Sequence, residues 1–221
     1  MKFFEKVHTY EYDWETATAA WWDKYPNTDQ PHVRHWDTLK KELNGSQLKV
    51  NRLFWIEYGL PKWVHTFFRT NSMDGYGVEN VVCDVSKKSL VMRGRNYTFR
   101  NLIEIEETCT YKEHPENPQW TQFIHRSEFK VGKLGLLNSK LETSARDSAM
   151  SKSKIGVDVM EGLIAKLHLD KMSETLSEMG HKGHEQLDKM SRISHEQIDK
   201  INEIGHDMYN RVIGDKDDKK K

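Results

Sequence analysis

Cysteine is scarce in this chain, whose 221 residues include only Cys83 and Cys109. Two cysteines cannot build the disulfide framework of a small secreted domain. They form neither a CxxC motif nor a Cys/His spacing that would indicate zinc. We therefore expect both to be unreactive strand residues, and we predict no metal site and no cofactor.

Long apolar runs and a surplus of charge are also missing. No stretch approaches the ~18–20 apolar residues of a membrane-spanning helix. The first six residues carry Lys2, Glu5 and Lys6 where a signal peptide has an apolar run. We expect a soluble protein without a transmembrane anchor or a cleavable presequence. The 34 basic and 34 acidic residues balance, which argues against nucleic acid as the main partner, since that affinity comes from clustered cations.

Common enzyme signatures are absent as well. The sequence contains no GxSxG, Walker, GxGxxG or HExxH motif. Its 11 histidines are scattered, and none forms a convincing pair with a cysteine. We therefore predict that the protein is not an enzyme.

Aromatic residues and prolines are concentrated in the first 130 residues, after which the only aromatic residue is Tyr209. The packed core is therefore expected in the first half. The second half carries Leu, Met, Ile, Glu and Lys at helical spacing. We predict one domain over residues 1–170. Residues 171–221 are predicted to form an amphipathic helical tail, either fully folded or disordered in part.

The first half has the pattern of an antiparallel sheet with one early helix. Asp13 is predicted to cap a helix over residues 14–24. Asn44-Gly45 is the best hairpin signal, since both residues tolerate positive φ. Short connections between successive strands predict a meander. The predicted strands are residues 3–12, 32–43, 47–58, 76–85, 90–99, 103–111 and 120–131.

Arg52 falls on the buried face of its predicted strand, together with Val50 and Phe54, because strand side chains alternate with a period of two. A buried guanidinium needs an acidic or phosphate partner. Three explanations are open at this point: a salt bridge to a core carboxylate, a side chain that extends to solvent, and an anionic ligand.

The predicted helix that starts near Leu136 lacks a continuous apolar stripe over residues 142–154. A helix that covers a sheet normally needs such a stripe. This stretch therefore either projects beyond the sheet or faces a cavity that contains something polar. Together with an inward Arg52, it suggests an amphiphilic ligand with an anionic head group.

The segment between the third and fourth predicted strands, residues 60–68, has its apolar residues on one side. One interpretation is a short helix that closes the core. The other is a mobile apolar lid, because Gly59 and residues 71–75 could act as hinges.

The tail contains an internal repeat of eleven residues. HEQLDK at residues 184–189 recurs as HEQIDK at residues 195–200. Eleven residues make three helical turns, so the repeated apolar positions form one stripe. The tail is predicted to dock on a partner helix, to lie on a membrane, or to fold conditionally. A scaffold that recruits partners through this tail is the alternative to a ligand-binding function.

Several short motifs follow one another in order over residues 1–169. They are KYPN at 24–27, His32-Val33, Arg52-Leu53-Phe54, YGLP at 58–61, HPENPQWT at 114–121 and MEGLIAKL at 160–167. Together they resemble the PRELI/MSF1 (slowmo/Ups) family. The resemblance implies an α+β fold in which a curved antiparallel β-sheet and a long C-terminal helix enclose a lipid cavity.

The resemblance also implies a function. Members of the family transfer phosphatidic acid or phosphatidylserine between mitochondrial membranes in the intermembrane space, which supports mitochondrial phospholipid homeostasis. It implies a small helical-hairpin partner with twin Cx9C motifs, a phospholipid ligand and transient contact with a membrane surface.

Site residues follow from the same resemblance. Lys24, His32 and Arg52 match the family's head-group positions. Ser148 and Ile155 stand where phosphatidic-acid-specific members often carry lysines, so we expect Lys152 or Lys154 to supply the cation. Residues 58–74 match the lid loop, with Tyr58, Gly59, Leu60, Pro61, Trp63, Val64, Phe67 and Phe68 as lid residues.

The preferred head group is open at this point. Residues 55–61 resemble the slowmo branch, which is associated with phosphatidylserine, whereas residues 117–123 resemble other branches.

Overall fold

A computed structural model of the protein describes residues 1–58, 64, 74–132 and 135–217. The chain divides into two compact units, Met1–His168 and Leu169–Lys221. Among the described residues, no helix combines the length and the apolar character needed to cross a membrane.

Seven strands form one antiparallel sheet. They are β1 (Lys2–Tyr10), β2 (Val33–Asn44), β3 (Gln47–Glu57), β4 (Asp74–Asp84), β5 (Ser89–Asn96), β6 (Ile103–Glu113) and β7 (Thr121–Val131). Their order in the sheet is β1-β7-β6-β5-β4-β3-β2. Strands β2 to β7 thus form the predicted meander, and β7 also pairs with β1.

Helix α1 spans Trp14–Trp22 and begins at the predicted cap, where the Asp13 side chain accepts a hydrogen bond from the Thr16 N–H at 2.7 Å. It buries Trp14, Ala17 and Trp21, and the Trp14 indole donates to the Tyr111 carbonyl at 3.1 Å. The helix ends two residues earlier than predicted. Lys24 therefore lies in the segment between α1 and β2 rather than on the helix.

The β2–β3 turn lies one residue later than predicted. Asn44 pairs with Gln47 in the ladder, so the two turn residues are Gly45 and Ser46. Gly45 has a φ of 58°, a conformation that glycine adopts without a steric penalty.

Helix α2 spans Asn138–Asp217 and follows a short 3₁₀ turn, Gly135–Leu137. It packs on the sheet at two places. Met160 and Ile164 join the core cluster that contains Trp14 and Leu90. Leu141 and Ala145 join a second cluster, whose other members include Phe4, Val64, Ile103 and Phe129.

The tail is helical in its backbone as far as Asp217. Leu169, Met172 and Leu176 are exposed. Of these three, Leu176 belongs to the predicted stripe, whose apolar residues are spaced by eleven. The side chains of the other stripe residues lie outside the described residues: Met179, Leu187, Met190, Ile198, Ile201, Tyr209 and Val212.

The predicted α+β architecture, a curved antiparallel sheet covered by a long C-terminal helix, is confirmed. Cys83 lies on β4 and Cys109 on β6, and both are free and buried.

Candidate functional site

A cavity of about 270 Å³ lies between the inner face of the sheet and α2. The part of α2 that faces it lies between the two places where the helix packs on the core. Small or polar side chains occupy this face, namely Ala145, Ser148, Ala149, Lys152, Ser153 and Gly156. The stretch of α2 that lacks an apolar stripe therefore forms a wall of the cavity, which is one of the two explanations that the sequence left open.

Four of the predicted head-group residues line this cavity: Lys24, His32, Arg52 and Lys152. They come from separate parts of the fold. Lys24 and His32 lie in the segment between α1 and β2, Arg52 lies on β3, and Lys152 lies on α2. The fold brings together around one cavity residues that are up to 128 positions apart in the sequence.

Lys154, the fifth predicted head-group residue, is exposed and does not line the cavity. Two residues along an α-helix correspond to a rotation of about 200°. Lys152 and Lys154 therefore cannot both face the cavity. Of the two, only Lys152 lines the cavity, so the head-group proposal below uses Lys152.

Arg52 forms an ion pair with Glu79, its direct neighbour on β4. The Arg52 Nε donates to Glu79 Oε1 at 2.7 Å, and an Nη2 hydrogen bond reaches the same oxygen. The guanidinium also lies 4.6 Å from the Trp21 ring centroid and 5.2 Å from that of Phe54. The salt-bridge explanation for the buried arginine therefore holds, although Arg52 also lines the cavity.

Two cavity carboxylates, Glu79 and Glu107, were missed by the sequence analysis. Burial raises the pKa of Glu79, and the Arg52 charge opposes this shift. Glu107 falls on the inward face of β6 with Ile105 and Cys109, so the alternation that identified Arg52 could have identified it too.

His125 on β7 links Glu107 to α2. Its Nε2 contacts Glu107 Oε1 at hydrogen-bond distance, and its Nδ1 lies 2.8 Å from the Ser153 hydroxyl. Burial acts to raise the pKa of Glu107, but the His125 hydrogen bond, with the charges of Lys24 and Lys152, lowers it overall. Sequence patterns gave no signal for His125, because its partners lie on other elements.

The cations of the cavity influence one another. Burial, followed by the charges of Lys152 and Lys24, lowers the pKa of His32 to about 4, so this imidazole is neutral at pH 7. Burial also lowers the pKa of Lys152, against the attraction of Glu57 and Glu107. Burial acts in the same direction on Lys24, but neighbouring acidic groups, Tyr25 first among them, leave its pKa raised. An anion in the cavity would stabilise all three cationic forms.

Gln30 is a further polar residue of the cavity wall. Its side chain is only 4% exposed, and within the described part of the chain its Oε1 has no hydrogen-bond partner. Gly156 gives it room, because a Cβ at this position would lie 3.3 Å from Gln30 Nε2 and 3.8 Å from Lys24 Nζ. A ligand with a hydrogen-bond donor would satisfy the Gln30 oxygen.

Two of the predicted lid residues are described. The Tyr58 hydroxyl donates to the Tyr76 carbonyl at 3.0 Å, and Val64 is fully buried in the second core cluster. Gly59, Leu60, Pro61, Trp63, Phe67 and Phe68 lie outside the described residues, so the lid stays a prediction.

The cavity combines apolar walls with charges of both signs. Phe54, Ile56, Ile105 and Phe129 line it together with the ionic residues described above. Such a lining suits a molecule that has an apolar part and a charged head.

Comparisons with known proteins agree with these observations. The model of the PRELI-like family matches residues 15–170. The yeast protein named "Protein UPS2, mitochondrial" (Saccharomyces cerevisiae) is 32% identical over 188 residues, which cover 80% of each chain. "Protein slowmo homolog" from Dictyostelium discoideum is 26% identical over 194 residues, covering 84% of each chain. The crystal structure of a protein from Thermus thermophilus has a TM-score of 0.50 at 8% identity, over 75% of this chain and 98% of that one, a likeness in fold alone.

Proposed function

Because the chain belongs to the PRELI-like family, as its motifs predicted, we propose that it binds an anionic glycerophospholipid and transfers it between mitochondrial membranes. The observation that carries this proposal is the convergence of Lys24, Arg52 and Lys152 in one cavity with apolar walls. Transfer requires only binding and release of the lipid, so the lipid is not changed chemically.

In this proposal the phosphate lies among Lys24, Arg52 and Lys152, with His32 as a further hydrogen-bond donor. The guanidinium has five N–H donors, and Glu79 engages Nε and Nη2, so Arg52 can serve both the carboxylate and a phosphate. Acyl chains would lie along the apolar walls. Since about 270 Å³ is below the ~300–1,000 Å³ of common small-molecule sites, we expect the cavity to widen as lipid enters.

Phosphatidylserine fits the polar wall better than phosphatidic acid. Its ammonium group can donate to the Gln30 oxygen, which has no hydrogen-bond partner among the described residues, while its phosphate meets the cations. Phosphatidic acid has no ammonium group to donate to the Gln30 oxygen. We therefore propose phosphatidylserine as the preferred lipid and phosphatidic acid as the alternative.

The setting proposed for this activity is the mitochondrial intermembrane space. The yeast relative is named as a mitochondrial protein. The resemblance supports a small helical-hairpin partner with twin Cx9C motifs and transient contact with the membrane surface during loading and release.

The test is transfer of fluorescent phosphatidylserine and phosphatidic acid between donor and acceptor liposomes, with the full chain co-expressed with its twin-Cx9C partner. We expect transfer of phosphatidylserine to be the faster. Faster transfer of phosphatidic acid would reverse the preference. Transfer of neither lipid by a folded complex would contradict the proposed function.

A scaffold function is the second candidate, and one observation favours it. Leu169, Met172 and Leu176 recur at helical spacing and are 64%, 50% and 63% exposed. Removal of residues 169–221, the second compact unit, separates the two candidates. A carrier keeps its transfer activity after this deletion, whereas a scaffold loses its associations.

A further inference from the structure

Three side chains on neighbouring strands form a compact cluster at the cavity wall. Glu107 and Cys109 lie two residues apart on β6, and His125 is the direct β7 neighbour of Cys109. One ligand-type atom from each residue lies within 4.8 Å of the other two. All three residues line the cavity.

The imidazole of this cluster is held as a metal ligand would be. Its Nε2 is directed at Glu107 and lies 3.2 Å from the Ser127 hydroxyl, while its Nδ1 lies 2.8 Å from the Ser153 hydroxyl on α2. Metal-bound histidines usually donate their second N–H to such a partner, which fixes the orientation of the ring. A serine hydroxyl can accept from Nδ1 or donate to it, so Ser153 can support the tautomer that leaves Nε2 free to coordinate.

We propose that Glu107, Cys109 and His125 form a zinc site within the cavity. One carboxylate oxygen, one thiolate and one imidazole nitrogen suit Zn²⁺, which binds oxygen, sulfur and nitrogen ligands alike. Three protein ligands leave the fourth tetrahedral position open. It faces the cavity, where water or a phosphate oxygen can occupy it.

The geometry requires only small adjustments. Zinc–ligand distances of about 2.0–2.3 Å place the ligand atoms of a tetrahedral site roughly 3.3–3.6 Å apart. The ion would enter between the His125 nitrogen and the Glu107 oxygen, which are in direct contact. The flexible Glu107 side chain can supply this movement.

Electrostatics decide whether an ion can be held here. Lys24 and Lys152 oppose a cation, because both interact with Glu107. Zinc displaces the thiol proton of Cys109, so the ion with one thiolate and one carboxylate is formally neutral. A neutral cluster adds no net charge to the cavity, and the two lysines then favour an anionic fourth ligand.

The test uses Co²⁺ as a spectroscopic substitute for zinc in the full chain, after chelator treatment and under reducing, oxygen-free conditions. Tetrahedral cobalt bound to a thiolate gives a near-ultraviolet charge-transfer band. Cys83 and Cys109 are the chain's only cysteines, so histidines of the tail cannot produce this band. Cys83 is a matched control because it is also free and buried, but it does not line the cavity.

We expect a charge-transfer band that saturates at one Co²⁺ per chain and disappears when zinc is added. The band should persist in Cys83→Ala and be lost in Cys109→Ala, with zinc affinity falling at least ~10-fold. Glu107→Gln provides a second variant should Cys109→Ala fold poorly, which circular dichroism reveals. Absence of the band at saturating cobalt, or its persistence in folded Cys109→Ala, would overturn the proposal. Because no lipid is present, this outcome is independent of the lipid-transfer assay.

Discussion

Arg52 and Glu79 lie directly opposite each other on β3 and β4, and their buried side chains form an ion pair in the cavity wall. Both residues are less than one-tenth exposed, at 6% and 9%. Water therefore screens neither charge well, and each depends on the other for compensation. The pair supports the wall, and we propose that it also presents Arg52 to the ligand.

Removal of one member of this pair should destabilise the protein strongly. We expect Arg52→Met to lower the free energy of unfolding by about 3–5 kcal/mol, because Glu79 is left buried without a counter-charge. The double variant Arg52→Met/Glu79→Leu should recover most of this loss, since it buries no charge. Urea denaturation of the three proteins measures both effects.

The same double variant separates the role of Arg52 in stability from its role in ligand binding. If Arg52 contacts the phosphate, the double variant folds but transfers anionic lipid slowly. Transfer at the wild-type rate would remove Arg52 from the head-group site. Equal stability of Arg52→Met and wild type would show that the pair contributes little to folding.

Lys152 and Lys154 provide a comparison within one helix. Lys152→Ala should weaken binding of anionic lipid roughly 10- to 100-fold, because a charge-assisted contact contributes ~1.5–3 kcal/mol. Lys154→Ala removes the same charge from the exposed face and should change binding less than about twofold. Lipid extraction from liposomes measures both. Equal losses would indicate a general attraction to the membrane rather than a contact in the cavity.

Alternation along a strand allowed the sequence to predict which residues point inward. Arg52 was identified in this way, because the pattern needs only its own strand. The identity of its partner was not predictable, because Glu79 becomes a neighbour only through the β3–β4 register. The same limit applies to Cys109 and His125, which are 16 positions apart in the sequence but adjacent in the sheet.

The polar stretch of helix α2 was predictable from the sequence, whereas the exact position of the β2–β3 turn was not. A polar interruption between two apolar segments is a property of α2 itself, and it corresponds to the cavity wall. The β2–β3 turn was predicted one residue too early. Both Asn44 and Gly45 tolerate positive φ, and only the strand register shows that the turn residues are Gly45 and Ser46.

Lipid binding should depend on pH through His32. Its pKa is about 4 in the lipid-free protein, and a neighbouring phosphate should raise this pKa. Binding then takes up protons, so affinity rises as the pH falls. If the bound pKa returns to about 6.5, the affinity for phosphatidylserine increases about 10-fold between about pH 7.5 and 5.5. Binding isotherms at several pH values measure this slope.

His32→Gln is the control for this titration. The variant keeps a hydrogen-bond donor but cannot titrate, so its binding should show a flatter pH profile. Stability has the opposite dependence: the pKa of His32 is lower in the folded protein than in the unfolded chain, so wild type loses stability between about pH 6.5 and 4. A pH profile identical in both proteins would exclude His32 as the titrating group.

Space in the cavity can be tested without a change of charge. Ala149 lines the cavity, whereas its neighbour Met150 is exposed. Ala149→Trp should reduce lipid transfer at least ~10-fold, because the indole occupies volume that an acyl chain needs. Met150→Trp should leave transfer within about twofold. The lipid-free Ala149→Trp protein should lose less than the ~1–3 kcal/mol typical of overpacked cores, since its indole enters existing space. Liposome transfer and urea denaturation measure the two effects, and normal transfer by Ala149→Trp would place the acyl chains elsewhere.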